Sequence, residues 1–392
     1  MHEPITALPD GTIKQISPFT GTQVWTVPGR ANRPFVNKDL APSVIDQSKA
    51  GDYCSFCEHR YLDSPPEKER LVADPAGGYQ LLRQLPASAL TKTTAQFRRV
   101  PNLFPILPLS YWKANYGLDL TAGDLDWRDR YLAADGGREH LLALSRRVFQ
   151  AGGGTMEVWQ QLDETNQLGM TDNFFSSSHD LIIGQKHYRD DAQTTDQLAH
   201  SGAMTPAQHR AYLDFTVRGA NELLAANQFV KYVTIFQNWL RPAGASFDHL
   251  HKQLAAIDQL PVHHQTELSR LKDNPDLYRQ FGIDYAEKHN LVVAANDYAV
   301  AFAGFGHRYP CLEVHSLATG RPWELSAAEL GGISDLVHAL HWAAGAEIPC
   351  NEEWYYQPPG VDLVSPVRVI IKWRISTLAG FEGATKIYIN TM

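Results

Sequence analysis

Two neighbouring segments of this 392-residue chain decide its architecture: Tyr232-Val233-Thr234-Ile235-Phe236-Gln237-Asn238-Trp239 and, after a short turn, Gly244-Ala245-Ser246-Phe247-Asp248-His249-Leu250-His251-Lys252-Gln253. The first is an apolar run of strand length, and the second continues into apolar residues up to 257, so we predict strands at 232–239 and 249–257. In an extended chain His249, His251 and Gln253 share one face, and Lys252 points to the other. One imidazole can then bind a metal, the second can face a phosphorus atom, and the amide can face the phosphoryl oxygens.

The composition is that of an ordinary globular protein, with 44% apolar and 20% charged residues, and the length suggests roughly two or three domain-sized units. A formal net charge of -8 and a pI of about 6.0 argue against a broad nucleic-acid-binding surface but permit a small anion pocket. Residues 1–9 lack the basic and apolar regions of a signal peptide, and no apolar run reaches membrane-spanning length. We therefore expect a cytoplasmic protein that binds neither nucleic acid nor membrane.

Two helix starts and several apolar runs outline the rest of the fold. Thr205-Pro206-Ala207-Gln208 and Ser326-Ala327-Ala328-Glu329 are capping boxes, the second opening a helix to about Gly345. Further strands are predicted at 181–183, 298–302, 312–314, 353–356 and 367–373. Because the order strand–helix–strand–strand occurs twice, we predict an α+β protein of two related halves, 1–258 and 291–392, joined by a helical connection at 259–290. Residues 111–175 show no clear pattern, and we interpret them as helices and loops covering a core.

Cys54 and Cys57 form a C-x-x-C pair, the usual first half of a tetrahedral zinc site. Cys311 and Cys350 stand alone, so histidines must complete the set. His249 is one candidate and His187 the other, with His179 as the alternative to His187. Two thiolates and two imidazoles would make one closed, structural zinc site. The simpler interpretation is that Cys54 and Cys57 are small loop residues or a redox pair.

The pattern G-x-S-x-x-H-x-H-x-Q, together with the C-x-x-C pair, resembles the active-site signature of the histidine-triad (HIT) superfamily, in the branch that contains galactose-1-phosphate uridylyltransferase. The resemblance implies two HIT-like halves, each an antiparallel sheet with helices packed on it. It also implies that His251 attacks the α-phosphorus of a nucleoside diphosphate sugar and forms a covalent nucleotidyl-histidine. The sugar phosphate leaves, and another phosphate takes the nucleotide. His249 would ligate zinc, and Gln253 and the Ser246 hydroxyl would contact the phosphoryl group.

Other residues match the family in the same order along the chain. The resemblance implies contacts to the nucleotide and its phosphates by Arg30, Arg33, Asn102, Asn238 and Lys386, and the turn before the predicted strand 249–257 can present the backbone N–H groups of Gly244 and Ala245 to phosphate oxygens. The arginines can equally be solvated surface charges, and Asn102-Leu103-Phe104 can be a plain aromatic turn. Residues 369–374 carry no histidine, so we predict no second metal on that strand, although the family often has one there. The 111–175 segment is longer than its family equivalent.

Two other functions remain open. The same nucleophile could pass the nucleotide to inorganic phosphate or water, as a dinucleoside polyphosphate phosphorylase or hydrolase of this superfamily. Alternatively, the protein could bind a nucleotide without turnover, with zinc as a stabiliser. The base, the acceptor and the oligomeric state are not determined by the sequence, and a homodimer is expected by resemblance only.

Overall fold

The computed structural model describes residues 3–30, 42–376 and 379–390, which mix helices and antiparallel strands, and the predicted α+β class is confirmed. The strands are β1 (Ile5–Ala7), β2 (Ile13–Ile16), β3 (Gln23–Thr26), β4 (Glu69–Ala73), β5 (Tyr79–Arg83), β6 (Ala95–Pro101), β7 (His179–Gly184), β8 (Tyr232–Trp239), β9 (His251–Ile257), β10 (Val292–Ala295), β11 (Ala299–Ala303), β12 (Cys311–Thr319), β13 (Cys350–Tyr355), β14 (Pro366–Trp373) and β15 (Ile387–Asn390). The α-helices are α1 (Leu109–Tyr116), α2 (Ala122–Ala133), α3 (Gly137–Ala151), α4 (Met156–Gln161), α5 (Glu164–Gly169), α6 (Asp172–Phe175), α7 (Pro206–Ala226), α8 (Val262–Asp273), α9 (Asp284–Lys288), α10 (Ala327–Ala344) and α11 (Gly380–Thr385).

Eleven of these strands form one sheet in the order β10-β11-β12-β14-β13-β8-β9-β7-β6-β4-β5, with antiparallel neighbours throughout. The sheets expected for the two halves are therefore joined through the β8–β13 pair. Counted outward from this pair, β8, β9, β7 and β6 occupy the same positions on one side as β13, β14, β12 and β11 on the other. Helix α7 connects β7 to β8, and α10 connects the corresponding strands β12 and β13. This symmetry agrees with a repeat, but the repeat and its limits at 258 and 291 stay predictions.

Helices α7 and α10 cover one face of the sheet. α7 begins at the predicted capping box, where the Gln208 N–H reaches the Thr205 hydroxyl (3.2 Å) and the Thr205 N–H reaches Gln208 Oε1 (2.9 Å). Gly219 allows α7 to lie close to β9, because a Cβ there would come within 2.9 Å of Leu254 Cδ1. Apolar side chains from both helices and the central strands form the main core on this face.

A buried charge network lies between this face and the helices. Lys252 Nζ is 2.5 Å from Glu352 Oε1 and 3.3 Å from Gln237 Oε1, and all three side chains are buried. The other Glu352 oxygen lies 2.8 Å from His341 Nε2 on α10. Lys252 therefore points away from the face that carries His251, as strand alternation predicts, and it ties β9 to β13 across β8.

The 111–175 segment consists of helices α1–α6 packed around their own apolar cluster. His140 anchors it to the loop that follows the C-x-x-C pair, because its Nε2 donates to the Ser64 carbonyl (3.1 Å) and its Nδ1 accepts from the Tyr131 hydroxyl (2.7 Å). Burial lowers the pKa of His140 to about 4, so the ring is neutral in this bridge. The segment thus supports the cysteine loop from outside.

Both ends of the described chain meet in a second, four-stranded sheet of order β1-β2-β3-β15, where β15 lies parallel to β3. It packs against the part of the chain around residues 281–309: Ile5 joins an apolar cluster with Tyr285 and Phe302, and the Gly306 N–H donates to Gln15 Oε1 (2.9 Å). The first strands of the predicted N-terminal half thus pack on the C-terminal part. Within the described ranges, no helix is long and apolar enough to cross a membrane.

The network predicts strongly non-additive stability. Lys252→Met leaves a buried carboxylate without its cation and should lower the free energy of unfolding by about 3–5 kcal/mol. Lys252→Met with Glu352→Met removes both charges, so its loss should be well below the sum of the single losses. Urea denaturation of the four proteins measures this. Additive losses would mean that the two charges are not coupled.

Candidate active site and metal centre

Cys54, Cys57, His187 and His249 come together, and their ligand atoms all lie within 4.8 Å of one another. The two Sγ atoms are 3.8 Å apart, Cys54 Sγ is 3.5 Å from His249 Nδ1, and Cys57 Sγ is 3.7 Å from His249 Nδ1 and 3.8 Å from His187 Nδ1. Four ligands placed tetrahedrally around a zinc-sized ion are separated by roughly 3.3–3.8 Å, given bonds of about 2.0–2.3 Å. The four separations given lie close to this range, so the four residues suit a tetrahedral metal ion.

The surroundings prepare these ligands for a metal. His249 donates its Nε2–H to the Gly184 carbonyl (2.7 Å), which leaves Nδ1 as the nitrogen facing the sulfur atoms. The hydrogen bond between the two sulfur atoms lowers the pKa of Cys57 and raises that of Cys54. A thiolate is the form of cysteine that ligates metals, so the cluster can hold a metal ion.

His251 is the first residue of β9 and lies beside this cluster. Its ring is 5% exposed, and its Nδ1 donates to the His249 carbonyl (2.8 Å), which assigns the proton of the neutral ring to Nδ1 and the lone pair to Nε2. Burial lowers its pKa to about 4. Phe56, between the two cysteines, meets the ring edge-on with centroids 5.3 Å apart. The backbone of one predicted metal ligand thus orients the neighbouring imidazole.

Gln253 lies on the same face of β9, and its Oε1 is 3.1 Å from Nε2 of His179 on β7. His179 is therefore not in the cysteine cluster, and His187 takes the position for which both were candidates. Asn102 adjoins this pair, with its Nδ2 3.3 Å from His179 Nε2 and its Oδ1 accepting the Phe104 N–H (2.9 Å).

A row of hydrogen-bonded amides leads from β8 across β13 to the end of β14. Asn238 Oδ1 accepts from Asn351 Nδ2 (2.7 Å), and Asn351 Oδ1 accepts from Arg374 Nη1 (2.6 Å). Arg374 also lies over the Tyr309 ring, 4.7 Å from its centroid. Sequence reasoning missed Asn351 and Arg374 because no motif marks them. They become visible only through the β8–β13 register, which sets Asn351 opposite Asn238.

The turn before β9 is tight and strained. Leu240 has φ 65° and ψ 157°, a backbone conformation that residues other than glycine rarely adopt. Gly244 has φ 91°. The N–H groups of Gly244 and Ala245 donate to the carbonyls of Arg241 and Leu240, so they close the turn. Ser246 is exposed. The predicted phosphate contacts of Gly244, Ala245 and Ser246 remain predictions.

Arg30 and Lys386 are both exposed. Arg30 follows β3 and Lys386 precedes β15, which places both next to the small sheet. Arg33 lies outside the described residues. The nucleotide-binding roles expected of these three residues stay predictions.

A second group with metal-ligating side chains, His307, Cys311 and Glu313, lies on β12 and the loop before it. Strand β12 pairs directly with β14, so Cys311 and Glu313 lie opposite Lys372 and Ile370 of the 369–374 segment, but none of the three ligands belongs to that segment, and the absence of a metal on it stays a prediction. Glu313 already binds two imidazoles, with 2.8 Å to His307 Nε2 and 3.0 Å to His315 Nε2. Each oxygen of this carboxylate therefore already accepts a hydrogen bond from an imidazole.

The fold is similar to those of two solved structures. Over 97% of this chain and 95% of the other, the structure is similar to an ADP-glucose phosphorylase from Arabidopsis thaliana with bound ADP-glucose (TM-score 0.60, 18% identity). With the same coverage of both chains it is similar to a GalT-like protein from Arabidopsis thaliana (TM-score 0.58, 16% identity). The resemblance inferred from the H-x-H-x-Q and C-x-x-C motifs is confirmed in the fold, which is that of GalT-like proteins.

The chain belongs to the family described as Domain of unknown function (DUF4921), whose sequence profile matches residues 8–392. A sequence relative, the ADP-glucose phosphorylase of Arabidopsis thaliana, is 29% identical over 182 residues. That match spans 43% of this chain and 50% of the relative's length.

The metal centre yields a direct test. Cys54→Ser should lower the metal content of the purified protein from about one equivalent to background, because a hydroxyl is a poor substitute for a thiolate ligand. The melting temperature should fall as well. Elemental analysis and thermal denaturation measure both effects. Cys350→Ser is the matched control, since Cys350 is buried outside the cluster and its variant should keep the metal.

Proposed function

We propose that this protein is a nucleotidyltransferase that acts on a nucleoside diphosphate sugar through a covalent nucleotidyl-His251 intermediate. The observation that carries the proposal is the tautomer of His251. Its proton is held on Nδ1 by the His249 carbonyl, so the Nε2 lone pair is available to attack phosphorus.

The proposed reaction has two balanced steps. Nε2 of His251 attacks the α-phosphorus, an N–P bond forms, and the bond from phosphorus to the bridging oxygen breaks as the sugar 1-phosphate leaves with the electron pair. An oxygen of the acceptor phosphate then attacks the same phosphorus, and the N–P bond breaks. Since His251 returns to its starting state, the cycle needs no other reactant.

Donors on the same face can bind the charge that develops. The Asn238 side-chain oxygen accepts a hydrogen bond from Asn351, so its N–H₂ group points away from Asn351. That N–H₂ group lies next to Gly244, where a Cβ atom in place of hydrogen would come within 3.7 Å of the nitrogen. Gln253 supplies a second amide two residues after the nucleophile. Arg374, held by Asn351, provides a cation for a second phosphate.

The acceptor separates two versions of this activity. A sugar phosphate would make the protein resemble a uridylyltransferase, whereas inorganic phosphate would make it a phosphorylase. The sequence similarity to an ADP-glucose phosphorylase favours inorganic phosphate, with a nucleoside diphosphate as the product. Product analysis with each acceptor distinguishes the two.

We propose zinc as the metal, since two thiolates and two imidazoles are a typical tetrahedral zinc set. The four protein ligands leave no open position, so its role would be to fix the His249 backbone beside His251. A second copy of the chain as a partner is expected from the resemblance alone.

The covalent intermediate is the decisive test. Incubation with labelled ADP-glucose or UDP-glucose should give a nucleotidyl-protein that is acid-labile and base-stable, as a phosphoramidate is. In His251→Gly the adduct should disappear and transfer should fall by about three orders of magnitude or more. The control is His289→Gly, at a histidine that directly follows helix α9. This variant should form the adduct normally. If the wild-type protein binds nucleotide but forms no adduct and exchanges no product, it is a binding protein and the proposal is wrong.

Arg374 gives a second test. Arg374→Gln should raise the KM for the phosphate acceptor about tenfold, equivalent to about 1.4 kcal/mol, because a charge-assisted contact to phosphate is lost. Arg374→Lys should recover part of this. Arg308→Gln is the matched control, because Arg308 also lies over the Tyr309 ring (4.5 Å) but makes no bond to Asn351. Equal effects in the Arg374 and Arg308 variants would argue against an acceptor site at Arg374.

A further inference from the structure

The two ends of the Gln253 amide differ in what they do to a phosphoryl group. The N–H₂ end donates hydrogen bonds to negatively charged oxygens, whereas the carbonyl end repels them. Rotation by half a turn about the last side-chain bond exchanges the two. A residue that fixes this rotation therefore decides whether Gln253 helps or hinders the reaction.

His179 is held in one tautomer by its surroundings. The Ile106 N–H donates to His179 Nδ1 (3.2 Å), so Nδ1 carries the lone pair and the proton of the neutral ring is on Nε2. The ring is 3% exposed, and its burial lowers its pKa, which favours this neutral form. Nε2 is thus a hydrogen-bond donor.

That donor reaches Gln253. Nε2 of His179 lies 3.1 Å from Oε1 of Gln253, and only the carbonyl end of an amide can accept from it. The Asn102 nitrogen also lies near Nε2 (3.3 Å), but an N–H₂ group cannot accept a hydrogen bond, and the Asn102 oxygen is taken by the Phe104 N–H. Of these two neighbours, Gln253 Oε1 is therefore the one that can accept from Nε2, at the closer distance of 3.1 Å. An inverted Gln253 would set two donors against each other in a buried place, which is unfavourable.

We propose that His179 is a positioning residue that, through this bond, turns the N–H₂ group of Gln253 toward the phosphoryl group on His251. The inference depends on the proposed function, since it assigns a task within the same reaction. It also gives a use to the histidine that the metal cluster leaves out. The chain Ile106 N–H, His179, Gln253 then acts as one unit.

Two substitutions of similar size separate this role from simple packing. Glutamine at 179 can place its amide N–H₂ near the position of Nε2 and keep the bond to Gln253. Asparagine is shorter and reaches only the position of Nδ1, so it keeps the Ile106 bond and loses the donor. His179→Asn should lower kcat for nucleotidyl transfer about tenfold to a hundredfold with little change in KM, because the lost contact matters most as charge develops. His179→Gln should retain most of the activity.

A double-mutant cycle tests whether His179 acts through Gln253. In a Gln253→Ala background, His179→Asn should have almost no further effect on kcat, whereas independent residues would give multiplying losses. Gln253→Glu serves as a second variant, since its carboxylate can still accept from His179 but donates nothing, and it should be as impaired as Gln253→Ala. Metal content and melting temperature should remain at wild-type values throughout.

The outcomes separate this inference from the proposed function. Multiplying losses in the cycle, or equal losses in His179→Gln and His179→Asn, would overturn the positioning role while the wild-type adduct on His251 still stands. Absence of any adduct in the wild-type protein would instead overturn the function on which the inference rests.

Discussion

The active face depends on a buried ion pair on the opposite side of the same strand. Lys252 and Glu352 are fully buried and bind each other beneath the sheet, joining β9 to β13 across β8. Because a buried charge without its partner is very unfavourable, this pair penalises any one-residue slip of β9, which would turn Lys252 upward and His251 and Gln253 into the core. The register that presents the proposed nucleophile, His251, is thus protected by residues on the opposite face of the sheet.

The cysteine–histidine cluster and the proposed nucleophile, His251, are linked through the carbonyl of His249. His249 faces the cysteines with its ring and holds the proton of His251 with its carbonyl oxygen. A metal that fixes the His249 ring also limits the motion of that carbonyl. The ligand His249 and the proposed nucleophile His251 are therefore coupled through the backbone, so a metal bound in the cluster would influence the proposed reaction without touching a substrate.

Much of this was available from the sequence. Strand alternation predicted the faces of His251, Gln253 and Lys252, and capping boxes predicted the starts of α7 and α10, because such signals are local. The cluster of Cys54, Cys57, His187 and His249 followed from the chemistry of the ligand types. The partners of Gln253 and Asn238 could not be predicted, since His179, Asn351 and Arg374 reach them through strand registers that join distant parts of the chain. The pairing of β1–β3 with β15 was missed for the same reason.

That pairing bears on how the chain is made. Strand β3 finds its parallel neighbour only when residues 387–390 have been synthesised, although the β2–β3 hairpin can form early. On the ribosome the open edge of β3 stays unpaired until these residues emerge, so the small sheet is expected to be completed after the strands of the large sheet have been made. Until then the exposed edge of β3 can accept residues 387–390 from another nascent chain, which makes the β3–β15 pair a point for strand exchange between copies.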